Sequence, residues 1–383
     1  MTRRAGWRMG LVLALTGSLP VLAATDNPER AALLAEGEAA LSHGQVDQAL
    51  RRFERAAAMA HAADTELALV RTWLQAGQYR QATAFSAHTA GAHQRVVEGA
   101  VLYAWLLSIG GQQDAARRLL DQAVERFPAE PMLPATRRLL DDPLAAPAVA
   151  LPAVRLAPWS TGARVPKGAQ VVASGVLIDQ GRHALVPLAA LEGGARLLVR
   201  DGLGRTTGAR LLRGDRGLGV ALLALQPALT LHSLPVALGD TPVELPLPAA
   251  APRDPFPGSP AHAVEFTPSH RADPAWPRLR SGFHGAPEGV SGERRLGIEM
   301  PAGPRGGPVL NAAGQWTGLA LPGRGGTDHL VPVSRLRTAF VDMLGAGPGP
   351  GAAATSGPVP PQVAVDEVYE GALRMTLQVI RTR

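Results

Sequence analysis

Three glycines at almost constant spacing limit what the N-terminal third of this chain can fold into. Gly44, Gly77 and Gly111 lie 33 and 34 residues apart. Residues that are mostly apolar follow each glycine at fixed intervals, with two polar exceptions in the second unit: Ala49, Ala82 and Ala116, then Phe53, Ser86 and Leu120, then Ala56, Thr89 and Ala123. Glycine permits the left-handed turn that ends a helix, and small residues let the next helix pack closely on it. The pattern predicts three stacked helical hairpins over residues 30–130.

This spacing resembles tetratricopeptide repeats. The resemblance implies a concave face that is lined by the first helix of each repeat and binds a protein or peptide. Counted from the glycines, the inward positions are Leu34, Leu67 and Val101 in one row and Glu38, Arg71 and Trp105 in another. Arg71 and Trp105 are the candidate peptide-binding residues of this face. Two alternatives stay open: Trp105 belongs to the core between repeats, or the short groove docks on the neighbouring domain.

The composition changes after the repeats. Residues 131–164 are predicted to be a linker that is rich in Ala and Pro, and residues 165–344 alternate short apolar runs with Gly, Pro and Asp. Many short strands at such spacing favour an all-β sandwich or barrels. Aromatic residues make up only 4% of the chain, so aliphatic side chains must fill these cores.

Three segments of this region, in order, match one known family. Gly303-Pro304-Arg305-Gly306-Gly307-Pro308 resembles the nucleophile segment Gly-x-Ser-Gly-Gly-Pro of trypsin-like serine proteases, residues 174–191 resemble the strand pair ending in the catalytic His, and residues 215–223 resemble the segment carrying the catalytic Asp. The resemblance implies two six-stranded barrels with a cleft between them. The fold class expected is therefore multidomain: all-α tetratricopeptide repeats followed by an all-β trypsin-like double β-barrel.

The resemblance also assigns the three catalytic positions, and none holds the required residue. By position the nucleophile is Arg305, the base is Ala190 and the orienting acid is Gly219. A triad needs a hydroxyl, an imidazole and a carboxylate, and a guanidinium is protonated at any working pH. The expected catalytic set is therefore empty, and the chain is expected to be a pseudoprotease and not an enzyme.

An active serine endopeptidase with a relocated site remains an alternative, because residues 165–344 still hold six histidines: His183, His232, His262, His270, His284 and His329. No two of them have the spacing typical of metal ligands, so no metal site is predicted. A third hypothesis is a regulator that binds an active protease or its substrates.

By the same resemblance, the strand edge that pairs with substrate is Leu321-Pro322-Gly323. Leu321 and Gly323 are therefore candidates for binding an extended peptide by strand addition without cutting it. The alternative is that the domain's own Pro-rich stretch, Pro242–Pro260, covers this edge.

Both ends of the chain carry recognisable segments. Residues 1–23 combine arginines, a short apolar run and small residues at the end, which predicts a secretory signal peptide. Residues 345–362 form a Gly/Ala/Pro-rich linker, and 363–383 are expected to be a helix and a strand. These resemble the helix and strand that commonly open a periplasmic trypsin-like domain. They either pack back on the barrel or add to a partner's sheet.

Charge and cysteine content exclude several classes of protein. The net charge of +6 divides into +3 for residues 1–23, −3 for residues 24–143, +6 for residues 144–343 and zero for the remainder. No segment is basic enough to indicate nucleic-acid binding. Without cysteine the chain has no disulfide, thiolate-bound metal or cysteine nucleophile. No cofactor is expected. The prediction is an exported, periplasmic protein of a Gram-negative bacterium, with no membrane span after signal cleavage, that binds a protein or peptide as a scaffold or adaptor.

Overall fold

The structure is a computed structural model. It describes residues 27–142, 154–192, 196–234, 243–267, 269, 271–288, 293–300, 305–323, 327–345 and 361–382. The predicted signal peptide, residues 1–23, and most of the predicted linker 345–362 lie outside the described residues.

The N-terminal region consists of paired antiparallel helices. The helices are α1 (Pro28–Ser42), α2 (Val46–Met59), α3 (Ala63–Gln75), α4 (Tyr79–Ala92), α5 (Val97–Ile109), α6 (Gln113–Arg126) and α7 (Met132–Asp141). Gly44, Gly77 and Gly111 occupy the turns inside the first three pairs with φ of +76°, +76° and +86°. A residue with a Cβ is strained in this region, which explains why each hairpin turns at a glycine.

The repeating apolar positions form the packing between these helices. Ala49, Ala82 and Ala116 are each fully buried, and Phe53 and Leu120 fill the equivalent larger positions. The amide of Glu29 and that of Arg30 donate to the Asn27 side chain, which caps the first helix. The periodic pattern therefore predicted the helical hairpins correctly.

Thirteen strands lie in the described part of the chain. They are β1 (Thr161–Gly162), β2 (Gln170–Ile178), β3 (His183–Pro187), β4 (Leu197–Asp201), β5 (Arg205–Asp215), β6 (Val220–Gln226), β7 (Pro260–Glu265), β8 (Arg278–Glu288), β9 (Glu293–Gly297), β10 (Pro308–Leu310), β11 (Trp316–Pro322), β12 (Asp328–Pro332) and β13 (Thr376–Arg381). They form two closed six-stranded barrels. The predicted architecture, all-α helical repeats followed by an all-β double barrel, is confirmed.

The first barrel takes one strand from the far end of the chain. Its order is β5–β4–β13–β2–β3–β6, closed by pairing of β5 with β6, and β1 adds to β5 outside the ring. Strand β13 runs antiparallel to both β2 and β4, with Arg381 opposite Gln170 and Leu197. Of the two possibilities left open for the tail, the structure has it packed back on the barrel.

The second barrel is built from consecutive strands, in the ring order β10–β11–β12–β9–β8–β7. Two further helices, α8 (Val333–Ala339) and α9 (Val341–Leu344), follow it directly. A shared apolar cluster joins the barrels, and it contains Leu321 and Val331 of the second barrel and Val186 and Val220 of the first.

The repeats pack on the barrels through one continuous apolar core. Helix α10 (Val365–Met375), which leads into β13, lies between the two units. Tyr369 of α10 is fully buried, its ring meets Tyr79 edge-on at 4.4 Å, and its hydroxyl donates to the Pro277 carbonyl at 2.7 Å. The predicted linker 131–164 holds α7 and β1, and its residue Trp159 exchanges two hydrogen bonds with Gln75.

Candidate functional site

The three positions assigned by the protease resemblance meet where the two barrels join. Ala190 lies on a short 3-10 turn (Leu188–Leu191) after β3, Gly219 in the turn between β5 and β6, and Arg305 just before β10. The amide of Leu188 donates to the Gly219 carbonyl at 2.7 Å, and that of Ser174 donates to the Arg305 carbonyl at 3.2 Å. The first bond ties the Gly219 turn to the start of the turn that carries Ala190, and the second ties Arg305 to β2 of the first barrel.

Arg305 is held as a structural side chain at the position of the nucleophile. It is 6% exposed, and its Nε donates to Asp328 Oδ2 at 2.9 Å. Ala190 is also buried, and its methyl group can accept no proton. The chemistry of a triad needs a hydroxyl beside a base that a carboxylate orients. At these three positions the structure has a neutralised cation, a methyl group and a bare backbone.

A buried carboxyl group lies beside Arg305. Glu265 Oε1 accepts from the Gly307 amide at 2.9 Å. Burial raises the pKa of Glu265 to about 7, against the opposing effects of hydrogen bonds from Ser174 and Gly307 and the charge of Arg305. A small cavity is lined by Glu265, Arg305 and neighbouring residues. The Ser174 hydroxyl is fully buried, so no substrate carbonyl can reach it.

Two serine–histidine pairs in the second barrel bear on a relocated active site. His284 Nδ1 lies 3.2 Å from Ser259 Oγ, and its Nε2 lies 3.1 Å from Thr317 Oγ1. Burial lowers the pKa of His284 to about 4, so it is a weak base at neutral pH. The other pair is more open: His262 Nδ1 lies 2.9 Å from the Ser281 hydroxyl across β7 and β8.

The candidate peptide edge lies at the end of β11. Leu321 is 5% exposed and its side chain belongs to the core between the barrels, so only its backbone could meet a peptide. On one side Leu321 is opposite His329 of β12, and on the other side the pairing with β10 ends at Leu319. Gly323 follows directly, and a Cβ there would overlap the Thr327 carbonyl.

The Pro-rich connection between the barrels contacts the other end of that strand. The amide of Trp316, the first residue of β11, donates to the Ala249 carbonyl, and the Ala251 amide donates to the Trp316 carbonyl. In the described residues, these bonds of Pro242–Pro260 to β11 are made at Trp316, away from Leu321 and Gly323.

The concave face of the repeats is open in its first half and covered in its second. A cleft of about 430 Å³ extends from the first repeat to the start of α5, and it is lined by Leu34, Glu38, Asp64, Leu67, Arg71, Val96, Glu98 and three further apolar residues. We call it the repeat cleft. Arg71 forms an ion pair with Glu38 inside it. The candidate Arg71 therefore lies in an open groove.

Trp105, the other candidate of this face, lies under the second barrel. It is 7% exposed, and the guanidinium of Arg278 is 4.7 Å from the centre of its ring. Arg278 also donates to the Leu139 carbonyl at 2.9 Å. Of the alternatives for Trp105, the structure has it inside the core that joins the third repeat to the barrel.

Sequence reasoning missed the partners that hold this site. Asp328 and Glu265 are separated from Arg305 by 23 and about 40 residues, and only the closing of the second barrel brings them to it. A lone acid on a predicted strand carries no signal that it faces a particular arginine.

Among the described residues no helix is long and apolar enough to span a membrane.

Comparisons with known proteins give structural similarities only. No protein-family model matches the chain, and no curated protein does. The MamO protease domain from Magnetospirillum magneticum is 19% identical, with a TM-score of 0.35, over 46% of this chain and 92% of that one. A serine endoprotease from Yersinia pestis is 18% identical, with a TM-score of 0.34, over 45% of this chain and 57% of that one.

Proposed function

We propose that this protein is an exported, non-catalytic relative of trypsin-like proteases that acts in the periplasm as a protein-binding scaffold. Its helical hairpins serve as tetratricopeptide-type repeats. The observation that carries the proposal is the burial of Arg305 in an ion pair with Asp328 at the position of the nucleophile. A side chain held in this way contributes to stability and leaves no group there that can attack a carbonyl.

The repeat cleft is the surface proposed to bind the partner. Acidic side chains outnumber basic ones in its lining, because Glu38, Asp64 and Glu98 face the single cation Arg71. Arg71 is already paired with Glu38, and Arg30 pairs with Asp64. The remaining negative charge and the apolar residues of the lining favour an extended segment that carries both basic and apolar side chains.

The strand edge at Leu321 and Gly323 is a second surface for the same role. Its backbone continues β11 past the last residue paired with β10. An extended peptide could add to this edge by main-chain hydrogen bonds. Binding there would hold a partner without cleaving it.

The alternative function is a serine endopeptidase with a relocated site, and the pairing of His262 with Ser281 favours it. A fluorophosphonate probe separates the two. We expect no covalent labelling of the purified protein, under conditions that label an active serine protease in parallel. Labelling that disappears in Ser281→Ala and persists in Ser334→Ala would overturn the proposal and support the alternative.

The binding role is tested by photocrosslinking in cells. A photoreactive amino acid at Leu34, which lines the repeat cleft, is compared with one at Val124, an exposed position on α6. We expect a discrete crosslinked partner from Leu34 only. Equal products from both positions would contradict the repeat cleft as the binding surface.

The charge of the cleft is tested with defined peptides. Glu98→Lys should weaken binding of a basic, apolar peptide by about tenfold, since one reversed charge changes the binding free energy by on the order of 1 kcal/mol. Glu125→Lys, an exposed substitution on α6, is the matched control and should leave binding unchanged. Fluorescence anisotropy measures the affinity of both variants.

The crosslinking experiment also tests the regulator hypothesis. If the protein regulates an active protease, the crosslinked partner will itself be a protease or its substrate.

A further inference from the structure

Four side chains of the second repeat converge at the surface of the helical region, away from the barrels. His61 lies in the connection before α3, Glu66 in the first turn of α3, His88 in the last turns of α4, and His93 directly after α4. Because α3 and α4 are antiparallel, the start of one helix lies beside the end of the other. The hairpin therefore brings together residues that the sequence separates.

The distances place all three imidazoles around one carboxylate. Glu66 Oε1 lies 2.6 Å from His61 Nε2 and 3.7 Å from His88 Nε2, and Glu66 Oε2 lies 3.4 Å from His93 Nε2. The ligand atoms of His61, Glu66 and His93 all lie within 4.8 Å of one another. The rings of His61 and His93 have centres 4.8 Å apart.

Two buried atoms of this group have no hydrogen-bond partner. The Glu66 side chain is only 5% exposed, yet its Oε2 makes no hydrogen bond, and the same is true of His93 Nε2. A buried polar atom that is left unsatisfied is costly. A cation between these atoms would satisfy both of them, and it would neutralise the buried carboxylate.

We propose that His61, Glu66 and His93, with His88 as the fourth ligand, bind a divalent zinc ion. Imidazole nitrogen and carboxylate oxygen together suit zinc, whereas calcium and magnesium prefer oxygen ligands alone. Zinc bonds of about 2.0–2.2 Å in a tetrahedron place neighbouring ligand atoms about 3.4 Å apart. The 3.4 Å separation involves Glu66 Oε2 and the 3.7 Å separation involves Glu66 Oε1. Zinc binding through one carboxylate oxygen therefore needs the 2.6 Å pair to open by less than about 1 Å, and the ligand atoms that lie up to 4.8 Å apart to close to about 3.4 Å.

Solvent can reach the proposed ligands, so an ion has a path into the site. The bound ion would also stabilise the fold locally. His61 and His88 are 64% and 54% exposed, whereas Glu66 lies beneath them. A bound ion would tie the connection between the first and second repeats to the end of α4. These three histidines lie in the repeats, and not among the barrel histidines whose spacing indicated no metal site. The site is independent of the proposed scaffold function.

Zinc titration by calorimetry tests the proposal on the purified protein without a polyhistidine tag. We expect one Zn²⁺ per chain, a rise in melting temperature when it binds, and four-coordinate ligand-field bands when Co²⁺ replaces it. His61→Ala, His93→Ala and Glu66→Gln should each weaken binding by at least the 10- to 100-fold that loss of an outer-shell partner typically costs. His43→Ala, an exposed histidine after α1, is the matched control and should bind as the unaltered protein does.

Substituting the buried Glu66 could disturb folding, whereas substituting the exposed His61 should not. Circular dichroism establishes that each variant keeps its helices, and His61→Ala is the variant that decides if Glu66→Gln does not fold. Absence of stoichiometric Zn²⁺ binding, or binding unchanged in the His61→Ala/His93→Ala double variant, would overturn the site. Unchanged affinity in His88→Ala would overturn the assignment of the fourth ligand.

Discussion

The two barrels have the same number of strands but are assembled from the chain in different ways. All six strands of the second barrel come from residues 260–332, in an unbroken run. The first barrel uses residues 170–226 and then needs β13, from residues 376–381, to fill the gap between β2 and β4. The second barrel is thus a local unit. The first depends on a remote segment whose helix, α10, is also packed against the repeats.

The adjacent ends of β13 and β2 show how this dependence is arranged. Arg381, at the end of β13, lies opposite Gln170, at the start of β2. If those two ends were joined, α10 and β13 would precede β2, which is the order that the sequence resemblance associates with the opening of a periplasmic trypsin-like domain. Strand β13 therefore lies beside β2 in the barrel, although the two strands are far apart in the chain.

Removing residues 361–383 should destabilise the protein more than any single substitution. Leu377, Val379 and Ile380 are fully buried, and each buried aliphatic side chain contributes about 1.5–3 kcal/mol. Their summed loss, with the barrel left open, is comparable to the whole stability of a typical protein. We expect the cooperative thermal transition followed by circular dichroism to be lost.

The control for this truncation supplies the missing segment separately. Co-expression of residues 361–383 with the truncated chain should restore a soluble, cooperatively melting complex, because the strand pairs on both of its sides. A truncated chain that melts like the full one would show that the first barrel does not depend on β13.

Tyr369→Ala tests the link between the repeats and the barrels with a smaller change. The side chain is completely buried between Tyr79 and Pro277, and emptying such a site costs about 3–5 kcal/mol. Denaturant unfolding measures the loss. Tyr369→Phe is the matched control, and it should cost only about 1 kcal/mol for the hydrogen bond. Equal losses in the two variants would assign the effect to the hydroxyl and not to the packing.

Arg305→Ala tests the ion pair of the second barrel. The substitution removes the guanidinium that pairs with Asp328, whose side chain is only 12% exposed. Breaking a buried ion pair in this way costs about 3 kcal/mol of stability. The double variant Arg305→Ala/Asp328→Ala should recover part of this loss, because it also removes the uncompensated charge. Urea unfolding of the two proteins gives the comparison. No recovery in the double variant would mean that the pair does not set the stability.

The pH dependence of stability is the smallest expected effect and arises inside the second barrel. Burial raises the pKa of Glu265 from its ordinary 4.5 to about 7. The stability that this carboxyl group contributes is therefore fully present below pH 4.5 and is lost as pH rises to about 7. Burial lowers the pKa of His284 from 6.5 to about 4, so its contribution is present above pH 6.5 and is lost as pH falls. Each slope is at most about 1.4 kcal/mol per pH unit.

Between pH 4.5 and 6.5 these two slopes oppose each other. We therefore expect the unaltered protein to have nearly constant stability there, whereas Glu265→Gln should become more stable as pH rises. Chemical unfolding at a series of pH values measures this, and the exposed Glu125→Gln serves as the control. A Glu265→Gln curve that parallels that of the unaltered protein would exclude Glu265 as the titrating group.

Local sequence pattern was sufficient to predict the helical hairpins and the barrels. It was not sufficient to predict which segments, distant in the sequence, lie together in the fold. The glycine spacing identifies each turn because a positive φ is a local requirement. The short strands are visible because apolar runs alternate with turn residues. The position of β13 carries no such local signal, since its apolar sequence suits any central strand, and the resemblance of residues 363–383 left open whether they pack on the barrel or on a partner's sheet.

The same limit applies to the candidate site. The motif around Gly306 and Gly307 placed Arg305, yet nothing local indicates that Asp328 neutralises it or that Glu265 lies beside it. Trp105 has the inward spacing of a ligand-binding residue, but the docking of the second barrel buries it. The histidines around Glu66 fall in two separate helix ends, and only the antiparallel pairing of α3 and α4 brings them together.

The remote origin of β13 fixes the order in which the molecule can mature. At about 5–20 residues per second, roughly 8–30 s of translation separate the end of β6 from the end of β13. Once residue 332 has been synthesised, the repeats and the second barrel have all their helices and strands, whereas the first barrel still lacks β13. Closing that seam also seats α10 against the repeats. The first barrel can therefore close only in a chain that has been synthesised through residue 381.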